Sequence, residues 1–407
     1  MKQTERGSLA IEGGPAVRVA PFPPWPVFAQ DEIDAVAAVL ASGRVNYWTG
    51  DECKAFEREF AAVFGRRYGI ALANGTVALE LALHALGVGP GDEVIVPSRT
   101  FIATASCVVA LGAMPVVADV DANSGNLTAQ TIAAALTART RAVIPVHMAG
   151  WPCDMEPIMA LAAKHGLHVI EDCAQSHGAT YKGQPAGSFG SCAAFSFCQD
   201  KIMTTGGEGG MLLTDDEAVW HRAWEYKDHG KSWDAVHKRE HPLGFRWLHE
   251  SFGSNFRMTE MQAAIGRRQL AKLPDWLSRR RANADFLAAR LGKIRGLRVP
   301  LPDGDVVHAW YKFYAFIEPD LLKPGWDQIR IIEAIDAEGI PCGSGSCSEI
   351  YREKAFSGAG LAPPLPLPVA ARLGRTSLVF LVHPTLSTAD MDATAAVVAK
   401  VMGEACA

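Results

Sequence analysis

The run Val169-Ile170-Glu171-Asp172-Cys173-Ala174-Gln175 sets two carboxylates directly behind a short apolar strand. A strand end of this kind is the carboxyl edge at which open α/β sheets hold their ligands. Neighbouring residues on extended backbone point to opposite sides. Glu171 and Asp172 are therefore not a general acid/base dyad: one carboxylate is expected to face a ligand crevice and the other the helical layer. An acid pair opening a helix is the plainer alternative.

Outward from this run the same pattern repeats. Glu93–Val96 (EVIV), Ala142–Val146 (AVIPV) and His168–Ile170 (HVI) read as short buried strands. Helical stretches lie between them near Thr128–Leu136 and Asp154–His165, and a further helix follows Asn74 and stops at Gly87. Thr100–Ala118 runs 19 residues without a charge, but Gly112 and Pro115 split it into a helix near Phe101–Leu111 and a strand near Val116–Ala118, not a membrane span. Cys192–Phe197 and Gly210–Thr214 read as two more strands separated by a glycine-rich turn. Apolar strands alternating with helices imply an α/β fold with a mostly parallel, mixed sheet covered on both faces. From Arg257 to about Leu291 the chain reads as one long helix. Val306–Phe316, a helix near Trp326–Glu338 and Ser377–Val382 suggest a smaller α+β unit, with Gly358–Pro368 a surface loop within it. The expected organisation is an N-terminal arm over residues 1–29, a large domain over 30–280 and a small C-terminal domain over 281–407.

The totals narrow the function. The 407 residues are 49% hydrophobic and 20% charged, which excludes a disordered or fibrous chain. A formal net charge of -5 gives no basic excess to recruit nucleic acid or an anionic membrane. Lys2, Glu5 and Arg6 occupy the place of an export signal's apolar core, and the nine cysteines form no C-x-x-C pair. Both features lead us to expect a reduced, cytoplasmic protein. Cys342 and Cys347 lack a second ligand pair, so no metal site is expected.

Four clusters could carry chemistry. Asn74-Gly75-Thr76 opens a helix whose free N–H groups and positive dipole end suit a phosphate, although a simple cap reads the same. Glu171-Asp172 is the second. The third is Lys201, a lone lysine in Phe195-Ser196-Phe197-Cys198-Gln199-Asp200-Lys201, followed by Thr204-Thr205-Gly206-Gly207-Glu208-Gly209-Gly210. An amine among apolar or small residues suits a Schiff-base nucleophile, because desolvation lowers its pKa. The glycines follow the lysine, so this is no Walker loop, and G-x-G-x-x-G is not matched. The fourth cluster, Gly253–Gly266, carries Asn255 and Arg257 ahead of Thr259, a candidate helix cap.

Together these motifs resemble the DegT/StrS-type sugar aminotransferases, pyridoxal-phosphate (PLP) enzymes of the aspartate-aminotransferase fold (fold type I). The resemblance rests on Asn74-Gly75-Thr76, Pro97-Ser98-x-Thr100-Phe101-x-Ala103-Thr104 and Glu171-Asp172-x-Ala174-Gln175-x-His177-Gly178. It continues through Ser196-Phe197-x-x-x-Lys201-x-x-Thr204-Thr205-Gly206-Gly207-Glu208-Gly209-Gly210 and Gly253-x-Asn255-x-Arg257-Met258-Thr259, in order, from about Gly13 to His383-Pro384. It implies that Lys201 takes PLP as a Schiff base and that Asp172 pairs with the protonated pyridine nitrogen. Phe101 would stack on the ring, Gln175 would lie near its phenolic oxygen, and Gly75, Thr76 and Ser196 would hold the phosphate. Asn255 would reach the phosphate of the other subunit's cofactor, implying a homodimer with shared sites. The implied reaction is ping-pong transfer of an amino group from L-glutamate to a keto sugar, usually nucleotide-linked.

The pattern departs from the family in two places. Cys198-Gln199-Asp200 stands where relatives often have an aromatic or histidine and then proline, and Gly343–Tyr351 is small and polar where many carry a histidine-rich segment. Trp48, Thr49 and Gly50 fall where relatives line the substrate pocket. A PLP-dependent sugar dehydratase of the same frame is the alternative, but the known ones replace the lysine by histidine. A non-catalytic PLP-binding regulator would have no chemical need for both Lys201 and Asp172.

Overall fold

The computed structural model describes residues 8–407. The charges at Lys2, Glu5 and Arg6, and the first seven residues of the expected arm, lie outside the described residues. In chain order the strands are β1 (Tyr68–Leu72), β2 (Glu93–Pro97), β3 (Met114–Ala118), β4 (Thr140–Val143), β5 (His168–Asp172), β6 (Thr180–Tyr181) and β7 (Gln184–Pro185). They continue with β8 (Cys192–Ser196), β9 (Gly210–Thr214), β10 (Leu297–Arg298), β11 (Val306–Val307), β12 (Phe313–Ile317) and β13 (Ser377–Phe380).

Seven of them form one sheet in the order β1-β9-β8-β5-β4-β2-β3. All neighbours from β8 to β3 run parallel, and β9 is antiparallel to both β8 and β1. β2, β8 and β9 are buried along their whole length, which is why their sequences are apolar without alternation. Helix Gly75–Ala85 crosses β8 and β9, while Met155–His165 packs on β5. The arrangement puts the carboxyl end of β5 at the middle of the sheet, beside the end of β8. Asp172 and Ser196 are thus the last residues of adjacent parallel strands.

A second core gathers around the antiparallel sheet β10-β12-β13. Phe313, Phe380, Ile335 and Val398 meet there with Ala284, Leu287 and Leu291, the last turns of the long helix Glu260–Leu291. The described part of the N-terminal segment leans on this core: Leu9 is buried in it, and Ala10 and Val17 donate their N–H groups to Glu338.

Several expected bounds need correction. The AVIPV strand stops at Val143, because Pro145 has no N–H to give a ladder. The long helix starts at Glu260 rather than Arg257, since Thr259 caps it by accepting the Gln262 N–H while Arg257 bridges to Leu72. The expected strand Val306–Phe316 is two strands in different sheets. Val306–Val307 pairs with Tyr181 and Thr180, whereas Phe313–Ile317 pairs with β13. Between them Trp310 turns into the left-handed region at φ 51 and breaks the extended line. Gly358–Pro368 is not all loop, because its ends belong to the helices Lys354–Ala359 and Pro368–Gly374. Helices Gln30–Ser42, Glu52–Val63 and Glu217–Lys227 occupy stretches to which the sequence reading gave no element. The uncharged Thr100–Ala118 run divides into helix Ala103–Ala110 and β3, and among the described residues no helix is long and apolar enough to cross a membrane.

Candidate active site

The two carboxylates at the end of β5 point apart, as strand geometry demands. Glu171 faces inward, where its oxygens accept N–H groups from Gly187, Phe189 and Gly190, each at 2.7 Å. Arg66 lies 3.7 Å away, and His147 Nε2 approaches at 3.1 Å. His147 Nδ1 accepts the Cys153 N–H, so Nε2 carries the proton that Glu171 receives. Burial pushes the Glu171 carboxyl up, but the His147 bond, the Gly190 N–H and the Arg66 charge outweigh it and hold it below the usual range. His147, Glu171 and Cys173 offer donor atoms within 4.8 Å of one another. The histidine and carboxylate atoms are already engaged, and burial holds the Cys173 thiol in its protonated form. Glu171 is therefore a structural anchor for the Gly187–Gly190 turn.

Asp172 turns the other way, into a cavity of about 700 Å³. Its Oδ2 accepts from Thr104 Oγ1 at 2.9 Å and its Oδ1 from the Ala174 N–H at 3.1 Å. Thr104 Oγ1 in turn lies 2.8 Å from Thr100 Oγ1. Burial pushes the Asp172 carboxyl up, opposed by these two donors and by the charge of Lys201. This buried anion with few donors is suited to a cationic ring nitrogen.

Helix Gly75–Ala85 begins on the wall of the same cavity. Asn74 Oδ1 caps it by accepting the Val77 N–H at 3.0 Å, an arrangement contributing about 1 kcal/mol to a helix. Gly75 and Thr76 keep N–H groups that the helix itself cannot satisfy. Gly75 sits so close to β8 that a Cβ on it would come within 2.6 Å of the Ser196 Cβ. Backbone N–H groups, the Thr76 hydroxyl and Ser196 thus form one shallow cup at a helix N-terminus, the chemistry a phosphate needs.

Lys201, on the turn after β8, lines the same cavity. Its Nζ is 5.0 Å from the centre of the Tyr311 ring, and its carbonyl accepts the Trp25 indole N–H at 2.9 Å. Gln175 is buried, with Oε1 occupied by the Ala149 N–H at 2.7 Å, so its amide NH2 is what it can offer to a ligand. Phe101 lines the mouth and is 67% exposed, so one ring face is free to be covered. Seven expected residues, Gly75, Thr76, Phe101, Asp172, Gln175, Ser196 and Lys201, line the one cavity. Asn255 does not; it is exposed, on the bridge to Asp228. Trp48 borders a different cavity with Trp220, Trp224 and Trp233.

The sequence reading did not single out Thr104 or Tyr311 as site residues. Thr104 could have been found from its place one helical turn beyond Thr100. Tyr311 had no local signal, being 111 residues from its partner Asp200. The unusual Gly343–Tyr351 stretch lies along the Ser98–Phe101 loop. The Thr100 N–H bonds to Cys347 O, the Ile350 N–H to Ser98 O, and Arg99 to Ser348, which brings Ser346 to the cavity wall.

A lysine amine sharing one cavity with a buried carboxylate and a helix N-terminus, on this sheet, is the architecture of a PLP-dependent transferase of fold type I. The chain belongs to the DegT/DnrJ/EryC1/StrS aminotransferase family, whose description it matches over residues 26–401. It is similar to the aminotransferase from Psychrobacter cryohalolentis solved by X-ray, at 55% identity and a TM-score of 0.92, covering 95% of this chain and 100% of that one. It is 44% identical over 266 residues to the UDP-N-acetyl-3-dehydro-alpha-D-glucosamine 3-aminotransferase of Acidithiobacillus ferrooxidans, covering 65% of this chain and 68% of that protein. It is also 38% identical over 353 residues to the dTDP-3-amino-3,4,6-trideoxy-alpha-D-glucose transaminase of Streptomyces venezuelae, covering 86% and 87%. The protein is a PLP-dependent aminotransferase, and the donor set in the cavity fits that cofactor at both its phosphate and its ring-nitrogen ends.

Proposed function

We propose that the chain transfers the amino group of L-glutamate to the ketone of a nucleotide-linked sugar, with both half-reactions in the cavity that Lys201 and Asp172 share. The observation that carries this reading is their convergence, with the Gly75–Thr76 helix start, on one cavity of about 700 Å³. Relatives named for UDP- and dTDP-linked sugars support the acceptor class.

Bound PLP supplies an electron sink for the electrons left behind when the donor's Cα loses its proton. The protein's part is to bind, orient and move protons. Gly75, Thr76 and Ser196 grip the phosphate. A carboxylate oxygen of Asp172 keeps the proton on the ring nitrogen, and Gln175 offers its NH2 to the phenolic oxygen. The Lys201 amine takes the proton from the donor Cα and, in the second half-reaction, returns one to the sugar carbon. Thr104 and the Ala174 N–H fix the Asp172 oxygens for this work.

In the same reading two copies pair as a homodimer, and Asn255 of each reaches the cofactor phosphate of the other. Its exposure and its absence from its own chain's cavity support this. The nine free cysteines support a reducing, cytoplasmic setting.

The test is the visible spectrum with PLP, before and after L-glutamate alone. The expected result is an imine band that fades to a pyridoxamine-type band, and whose formation is lost in Lys201→Ala. A band that ignores both glutamate and glutamine would overturn the transaminase reading.

A further inference from the structure

Asp200 belongs to the Cys198–Asp200 stretch on which the family pattern fails, and the proposed roles leave it without a task. Its Oδ2 accepts the Tyr311 hydroxyl at 2.5 Å. The face of that same tyrosine ring lies under Lys201, with Nζ 5.0 Å from the ring centre. A phenol donating to a carboxylate has a more electron-rich ring, and a cation above such a face is attracted by its quadrupole.

The backbone of Tyr311 is held with unusual thoroughness. Its N–H bonds to Ala149 O at 2.9 Å, and its carbonyl accepts from Arg280 Nη1 at 3.3 Å, which also bonds Trp310 O at 3.2 Å. Trp310 and Ala149 are both non-glycine residues in the left-handed region, at φ 51 and 58. Strained conformations persist only where the surroundings over-determine them. Arg280 is fully buried, forms no ion pair among the described residues, and leaves Nε and Nη2 without a partner. Burial lowers its pKa to about 9. A guanidinium so costly to bury makes its hydrogen bonds to the carbonyls of Trp310 and Tyr311 alone. The Ala149 N–H meanwhile holds Gln175, so one strained junction fixes residues on two sides of the cavity.

We propose that Tyr311 is a positioning residue for Lys201: its ring, fixed by Asp200 and by the Arg280-held backbone, receives the lysine ammonium whenever the amine is free and keeps it aimed into the cavity. The charged groups around Lys201 are Asp172, Asp200 and Lys312, with Arg280 on the side of Tyr311 and Asp200; Lys312 lies 3.7 Å from Asp200, and its Nζ is 4.9 Å from the centre of the same Tyr311 ring. His177 beneath them is kept neutral by burial. The inference rests on the reading of Lys201 as the cofactor lysine.

The experiment uses Tyr311→Leu, Tyr311→Phe and Asp200→Asn in the full-length protein. In the PLP-free form, the pH dependence of Lys201 acylation by acetic anhydride, read by mass spectrometry, gives the amine's apparent pKa. We expect it to fall by about one unit in Tyr311→Leu, where the ring is lost, and by less than about half that in Tyr311→Phe. In the holoenzyme, single-turnover reaction with glutamate should slow about tenfold in Tyr311→Leu, with a larger isotope effect for Cα-deuterated glutamate and a KM within about threefold. A merely structural role would instead lower the melting temperature and PLP content and leave the isotope effect alone. A folded, PLP-replete Tyr311→Leu with the wild-type acylation pKa and half-reaction rate overturns the proposal. Should Tyr311→Leu fail to fold, a wild-type acylation profile in Asp200→Asn overturns it equally. Absence of the cofactor band in the wild-type protein would sink the reading of Lys201 itself, whereas wild-type behaviour of the Tyr311 variants would sink only this inference.

Discussion

Asp172 and Glu171 are neighbours in sequence with opposite electrostatic fates, and the difference lies in how many donors each receives. Glu171 accepts three backbone N–H groups besides His147, enough to overcome burial and keep it ionised. Asp172 accepts one N–H and one hydroxyl, and burial wins, so that its carboxyl is pushed up. An under-solvated carboxylate gains most from a cationic ring nitrogen placed against it, which is how a protein keeps that nitrogen protonated. Asp172→Asn removes the charge and leaves a single side-chain oxygen for two donors. We expect it to bind PLP but to carry out the glutamate half-reaction slower by on the order of 10²–10³, the range seen when a preorganised electrostatic partner is lost. Stopped-flow absorbance reads this directly, and an undiminished rate would remove the ring-nitrogen role. The sequence made the divergence of the pair legible through strand alternation. Alternation alone did not say which acid faces the cavity, and only the family resemblance pointed to Asp172, because the choice depends on the Gly187–Gly190 turn and Arg66 closing over Glu171 from elsewhere in the chain.

At the scale of the element, the legible parts were those whose local sequence agrees with their environment. The fully buried strands read as apolar runs, and the helix after Asn74 announced itself by its cap. Illegible parts were set by tertiary partners. Val306–Val307 joins β6 and not the sheet of β12, and the Trp310 kink is held by Arg280 and Ala149, none of which neighbours it in sequence. Helices Gln30–Ser42 and Glu52–Val63 become elements by packing on the long helix Glu260–Leu291. The start of helix Gly75–Ala85 offers a sharper test, because close approach there serves both packing and the phosphate cup. In Gly75→Ala the new Cβ would lie 2.6 Å from the Ser196 Cβ and 3.1 Å from its Cα, so strand and helix must separate. A displaced cup holds a phosphate poorly. We expect PLP affinity, followed by fluorescence titration, to fall at least about tenfold, and stability to drop by about 1–3 kcal/mol from overpacking. Wild-type PLP affinity in Gly75→Ala would show that the helix start is not the phosphate grip.

At the scale of the whole molecule, a single chain leaves two of the expected cofactor residues turned outward. Phe101 is 67% exposed at the cavity mouth, and Asn255 is exposed away from it. The sequence pointed to a second copy only through the family resemblance, because periodicity and composition carry no information about which surface meets another. If each site takes its lysine from one chain and Asn255 from the other, two crippled variants must complement. Lys201→Ala has no cofactor lysine in either of its sites, and Asn255→Ala lacks the cross-subunit phosphate contact in both. In a mixed dimer one site combines the intact lysine of the Asn255→Ala chain with the intact Asn255 of its partner, while the other site carries both defects. Random exchange makes half the dimers mixed, so mixing equal amounts should restore about one quarter of wild-type activity. The recovered rate should saturate with the time allowed for subunit exchange. If Asn255 served its own chain, mixing would only dilute the residual Asn255→Ala rate, because every intact lysine would still sit beside an alanine. Activity of the mixture at or below the average of its components would therefore refute the shared site while leaving the assignments of Lys201 and Asp172 standing.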